Sequence, residues 1–153
     1  REENLKNCHK RLSVLFGKTL SSSSIYESES WGFDAEPFLN QVIIINTKTK
    51  PESLLEEILR IENEMGRKRN NTGYESRIID IDILFYGSII YKSKNLVIPH
   101  PLLQERMFIL EPLNEIRSEY IHPVIKLPIS NIYLNCTDTT KLKKYKTQYP
   151  HDI

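Results

Sequence analysis

Apolar positions along the chain follow two periods, broken by polar stretches. Leu5, Cys8, Leu12 and Leu15 recur at helical spacing and predict an amphipathic helix over 3–16, which Gly17 can end. TLSSSSIYES (19–28) predicts a strand, and SWGFDAEP (30–37) a loop. FLNQVIIINTK (38–48) predicts a strand rich in β-branched residues. A second amphipathic helix is expected from Pro51 to Met65. Pro51 suits a first helical position, Leu54, Leu55, Ile58, Leu59, Ile61 and Met65 form the buried face, and Gly66 stops it. RKRNNTGYESR (67–77) has no period and is long for a loop in a compact domain; such loops are often functional. A strand over 78–86, a short hairpin from 89–91 and 96–98, a turn and helical segment over 99–116, and a short helix over 128–136 follow. The end of the chain, KLKKYKTQYPHDI, lacks a hydrophobic face, so residues 137–153 read as a loose tail.

The order is helix, strand, strand, helix, strand, with helical additions. One more strand in front would complete the β-α-β-β-α-β ferredoxin-like arrangement. The expected class is therefore α+β: one domain over 1–153, an antiparallel sheet with helices on its faces, and an N-terminal strand not contained in the sequence.

At 153 residues, with 39% hydrophobic and 27% charged, the chain suits one soluble domain with a real core. A formal charge of +1 gives no global reason to expect a nucleic-acid or membrane partner. No apolar run reaches the ~18 residues of a membrane span. Cys8 and Cys136 have no metal-like spacing and read as free thiols of a cytoplasmic protein.

RIIDIDILFYG (77–87) carries candidate chemistry. On a strand, Asp80 and Asp82 project to one side and Ile79, Ile81 and Ile83 to the other. At ~6 Å and an effective dielectric of ~20, two carboxylates repel by roughly 3 kcal/mol. The site must protonate one, pair both with cations, or bind a metal. Hard carboxylate oxygens suit Mg²⁺, with phosphates completing its shell. Simple pairing with arginines on an exposed sheet face is the plainer alternative. Arg67, Arg69 and Arg77 lie just upstream, and His100 and Arg106 downstream. Guanidinium groups match phosphate oxygens, and the cluster suits a magnesium-bound nucleoside triphosphate. No GxxxxGK[ST] loop is present. Trp31, Phe38, Tyr74 and Phe108 lie in or near loops, and Asn40 shares a strand face with Phe38. An amide among rings would suit a flat, hydrogen-bonding heterocycle. Taken alone, Phe38 and Phe108 read as core residues.

SRIIDIDILFYG, then LVIPHPLLQERMFILEPLNEI and a later His122–Pro123, resembles the 6-hydroxymethyl-7,8-dihydropterin pyrophosphokinases of folate biosynthesis. YESESWGFDAEPFLNQV is similar to that family's substrate loop and strand, and RIENEMGRKR to the start of its catalytic loop. The resemblance spans about residues 2–128. It implies transfer of diphosphate from ATP to the pterin hydroxymethyl group, with AMP released and two Mg²⁺ ions held by Asp80 and Asp82. Arg67 and Arg69 would close over the phosphates. Glu62, Arg77, Ile83, His100 and Arg106 would line the ATP site. Asn40 would read the pterin edge between Phe38 and Phe108, with Ser28, Trp31 and Tyr74 adding contacts. A monomer is implied. The chain begins inside the helix that follows the family's first strand, and Ser30 stands where the family commonly has proline.

Two other readings compete. A D-x-D glycosyltransferase would need a nucleotide-binding α/β domain beside a second one, for which this chain is too short. A ferredoxin-like module that binds magnesium and nucleotide without catalysis would fit the fold but leave ATP intact.

Overall fold

The computed structural model describes residues 1–28, 38–66 and 78–147, and the backbone of two paired segments between 66 and 78. Helix α1 (Glu2–Phe16) buries Cys8 and Leu12 and ends at Gly17, whose φ of 83° lies in the left-handed region open to glycine. Helix α2 (Pro51–Glu64) starts on its proline with Glu52 in the first turn, and buries Leu54, Ile58, Ile61 and Glu62. Cys8, Leu12 and Ile61 form one core cluster, joined by Phe16, Ile43, Met65, Ile79 and Ile81. A second cluster is built by Leu103 of a 3-10 turn (Leu103–Glu105), by Ile109, Leu110 and Leu113 of α3 (Met107–Arg117), and by Ile129 and Ile132 of α4 (Ile129–Asn135).

All strand pairs among the described residues are antiparallel, consistent with the α+β, ferredoxin-like class. Strand β1 (Ser21–Ser22) pairs with β4 (Ile43–Ile44). The central strand β2 (Tyr26–Ser28) lies between β3 (Phe38–Asn40) and β9 (Leu142–Lys144). Two ribbons complete the set: β5 (Lys68–Arg69) with β6 (Glu75–Ser76), and β7 (Tyr91–Lys92) with β8 (Val97–Ile98).

Two expected strands are each divided, and Ser23 accounts for both breaks. Its Oγ accepts from the Val42 N–H at 2.9 Å, its carbonyl accepts from Gln41 Nε2 at 3.0 Å, and its N–H donates to the Val42 carbonyl at 2.8 Å. These bonds turn 19–28 into β1 and β2 and 38–48 into β3 and β4, so the chain steps between sheets. The expected strand over 78–86 is extended but joins no ladder among the described residues. Its Ile81 N–H donates instead to Glu62 Oε2 at 2.8 Å, and its Leu84 carbonyl accepts from the His100 N–H at 2.9 Å. Residues 43–46 and 78–87 both line one cavity of about 890 Å³.

The C-terminal stretch is not loose as far as residue 147. Lys143 and Glu27 approach to 3.4 Å, and the Tyr145 N–H donates to the Ile25 carbonyl at 2.8 Å. Backbone pairing with β2 supplies what the missing hydrophobic face could not. Residues 148–153 lie outside the described residues. Cys8 and Cys136 are free thiols, and burial, followed by the charge of Glu62, pushes the Cys8 thiol up to about 11.

His122 is 3% exposed. Its Nδ1 accepts from the Val124 and Ile125 N–H groups at 3.1 and 3.0 Å, so the proton sits on Nε2, which has no hydrogen-bond partner among the described residues. Burial holds the imidazole below its ordinary 6.5. His9 and His100 shift the same way, chiefly through burial. The unfolded chain then binds more protons than the folded one just below pH 6.5. This contribution to stability is full above that pH and is lost as pH falls toward the lowered folded values. Urea midpoints should be flat from pH 8 to about 7 and drop toward about pH 5. In His122→Asn the protein should be less stable at pH 7.5 and its pH slope shallower. An unchanged slope would place the effect on other groups.

Candidate active site

The extended segment 78–86 sorts its side chains as the alternation predicts at its start. Ile79 and Ile81 pack into the α1–α2 cluster, while Asp80 and Asp82 are exposed. Ile83 departs from this: it is half-buried like Ile79 and Ile81, and like them lines the cavity, but belongs to neither core cluster. Exposure to water moderates the repulsion expected between the two carboxylates. Glu62, 4% exposed, holds the segment in place by accepting from the Ile81 N–H between the two aspartates.

Phe38, Asn40, Asp80, Asp82, Ile83 and Phe108 are among the residues lining the cavity, which also extends past Ile79 and Ile81 to Leu12 of α1 and Ile58 of α2. The register of β2 and β3 sets one wall. Ser28 opposes Phe38 and Tyr26 opposes Asn40, Asn40 Nδ2 donates to Ser28 Oγ at 3.2 Å, and Ser28 Oγ lies 3.5 Å from the Phe38 carbonyl. Phe38 is 59% exposed, which overturns its reading as a core residue. Phe108, in the first turn of α3, is half-buried against the second core cluster, with the Arg106 guanidinium 5.6 Å from its ring centroid.

His100 joins this group to the carboxylates. Its Nδ1 accepts from the Leu102 N–H at 3.2 Å, leaving Nε2–H as a donor. Burial lowers its pKa most; Asp82 opposes that shift and Arg106 adds to it, so both charges lie within electrostatic reach of the ring. A neutral donor beside an arginine and a carboxylate suits a phosphate or a nucleoside better than a proton-transfer role.

Ser28 and Glu62 lie beneath the site as supports rather than on its surface. Arg67, Arg77, Trp31 and Tyr74, and the side chain of Arg69, lie outside the described residues. Two residues that matter locally were not read from the sequence. Glu115 accepts from Ser24 N–H (2.8 Å), Ser24 Oγ (2.8 Å) and Tyr26 OH (3.0 Å), tying α3 to β2. Asp138 accepts from the Met107 N–H at 2.8 Å, at the start of α3. Its D-x-T spacing with Thr140 is a local side-chain-to-backbone signature that could have marked it.

Two carboxylates on one side of an extended segment are hard oxygen donors that leave most of an octahedral shell to phosphate and water, as Mg²⁺ prefers. Among the described residues no third histidine, cysteine, aspartate or glutamate joins them. The donor set therefore fits a metal that arrives with a phosphate substrate.

Comparison with known proteins bears on the same residues. Residues 1–118 match the model of the 7,8-dihydro-6-hydroxymethylpterin-pyrophosphokinase (HPPK) family. The chain belongs to that family. Curated HPPK relatives include the 2-amino-4-hydroxy-6-hydroxymethyldihydropteridine pyrophosphokinase of Aquifex aeolicus, 42% identical over 108 residues, covering 70% of this chain and 67% of that protein. The protein of the same name from Haemophilus influenzae is 41% identical over 105 residues, covering 68% of this chain and 65% of that one. The folic acid synthesis protein fol1 of Pneumocystis carinii is 41% identical over 130 residues. That match takes in 84% of this chain but 17% of the longer protein. The HPPK match places the carboxylate pair, the aromatic wall and His100 inside the family region, and leaves residues 119–153 beyond it.

Proposed function

We propose that the protein transfers the terminal diphosphate of ATP to the hydroxymethyl group of 6-hydroxymethyl-7,8-dihydropterin, releasing AMP, as a step in folate synthesis. The supporting observation is the meeting of Asp80 and Asp82 with Phe38, Asn40 and Phe108 around one cavity, in a chain of this family. The pterin would lie between Phe38 and Phe108, with the Asn40 amide reading its edge. Asp80 and Asp82 would hold two Mg²⁺ ions with the triphosphate. When bound, these supply charge neutralisation on the bridging oxygens and acidify the attacking hydroxyl. His100 and Arg106 would orient ATP through Nε2–H and the guanidinium, and Arg67, Arg69 and Arg77 would supply further phosphate contacts. Glu62 would fix the carboxylate segment, and Ile83 would add apolar contact to ATP. Ser28 would hold the Asn40 amide, and Trp31 and Tyr74 would cover the pterin. The protein would act as a cytoplasmic monomer without nucleic-acid or membrane partners. Among the described residues no helix is long and apolar enough to cross a membrane.

Nucleotide product analysis tests this reading. With ATP, Mg²⁺ and the pterin, AMP should form only when pterin is present. ADP would indicate transfer of a single phosphoryl group. Intact ATP with a folded protein would favour a magnesium–nucleotide binding module. Within the reading, Asn40→Ala should raise the pterin KM about tenfold, the cost of one buried hydrogen bond, and leave the ATP KM within a factor of about two. Equal losses for both substrates would contradict the assignment.

A further inference from the structure

We propose that Asp138 is a positioning residue for the pterin end of the site, and that residues 138–144 clasp the two walls of that site together. This rests on the pterin reading above. The start of α3 is where the clasp is needed. A helix begins with unpaired N–H groups, and here the N-cap residue is Arg106, whose side chain only donates. No side chain of the helix's own N-cap fills the gap. Further along, Pro112 has no N–H to give to the carbonyl four residues back, which is that of Phe108. The Arg106 carbonyl accepts from the Ile109 and Leu110 N–H groups at 3.1 and 3.0 Å, but within the helix the Met107 N–H has no side-chain cap and the Phe108 carbonyl lacks its usual donor.

Asp138 supplies the missing acceptor from outside. Its Oδ2 accepts from the Met107 N–H at 2.8 Å, between Arg106 and Phe108 in sequence. Its Oδ1 accepts from the Thr140 N–H at 2.9 Å and from Thr140 Oγ1 at 2.7 Å, so the carboxylate is itself immobilised. These bonds, led by that of Thr140, hold its carboxyl below the usual carboxylate range. A negative charge also suits a helix N-terminus. Two residues after Thr140 the chain enters β9, where Leu142 opposes Ser28 on β2. The other edge of β2 carries Phe38 and Asn40. One short stretch thus fastens the helix bearing Phe108 to the sheet bearing Phe38 and Asn40. It lies beyond residue 118, where the family match ends.

The expected signature is a split between substrates. Asp138→Ala should raise the pterin KM about five- to tenfold, the usual scale of a lost helix cap, while the ATP KM stays within about twofold. Asp138→Asn keeps one oxygen for the Met107 N–H but turns its NH2 toward the Thr140 N–H, so it should recover only part of the loss. In a double-mutant cycle with Phe108→Ala, the Asp138→Ala effect should largely vanish, because it acts through that ring. Circular dichroism melts of each variant establish that folded protein is compared. A parallel loss for both substrates, an effect undiminished in Phe108→Ala, or wild-type behaviour of Asp138→Ala would each overturn the proposal. A wild-type protein that neither binds nor turns over the pterin would overturn the functional reading and this inference with it. A wild-type enzyme whose Asp138→Ala variant is unchanged overturns this inference alone.

Discussion

Asp82→Asn is expected to lower the rate of AMP formation by about three orders of magnitude, the scale on which single groups that stabilise a phosphoryl-transfer transition state are felt. Asp82 is exposed, and among the described residues it makes no ion pair or hydrogen bond that holds the fold. The amide is nearly isosteric with the carboxylate but is neutral and a poor ligand for a hard cation. The thermal midpoint should therefore stay within a degree or two of wild type while activity collapses. Asp80→Asn should lower the rate on the same scale. Quenched-flow or steady-state product analysis beside a melting curve separates the two effects. Activity near wild type in either variant would remove the metal assignment, and a lowered melting point would show a structural role. A secondary effect is expected at His100. Asp82 favours its charged form, so Asp82→Asn should lower the imidazole pKa further, visible by NMR titration.

Leu110→Ala should do the reverse. Leu110 is fully buried in the cluster shared by α3, α4 and the 3-10 turn, with Leu103, Leu113 and Ile129 around it. Removing its side chain takes away apolar burial and leaves a cavity, together about 3–4 kcal/mol. That is a large share of the stability of a domain of this size. Urea unfolding should show a lower midpoint with an unchanged slope. Below the unfolding transition, the ATP KM should remain close to wild type, because no group that faces the carboxylates is altered. A loss of less than about 1 kcal/mol would mean that α4 is not packed on α3 as described.

The elements with a strong period are legible in the residue pattern alone. The stripes Cys8–Leu12 and Leu54–Ile58–Ile61 placed α1 and α2 to within a residue or so, because an apolar face determines both the type and the orientation of a helix. The alternation around Asp80 and Asp82 gave the correct sides for Ile79 and Ile81. Pairing was harder to read. Nothing in the run of isoleucines at 43–45 announces that a serine twenty residues earlier interrupts it. The C-terminal strand was missed for a related reason. LKK has no apolar face, and its order comes from backbone bonds to an edge formed by distant residues. In the site, the charged and aromatic members were readable as residue types with a shared chemistry. The resemblance supplied their common substrate. The supports, Ser28 beneath Asn40 and Asp138 at α3, depend on who stands opposite whom, which periodicity does not encode.

The partner that completes β2 is the last strand of the described chain. Residues 142–144 leave the ribosome more than a hundred residues after residues 26–28. Throughout that interval the strand can hold only its β3 edge, and its other edge offers unpaired backbone groups to any neighbouring chain. A nascent or prematurely terminated polypeptide ending before about residue 142 would therefore be prone to edge-to-edge association. Lysines within and beside β9, at positions 141, 143, 144 and 146, then blunt what is, among the described residues, the outer edge of the finished sheet.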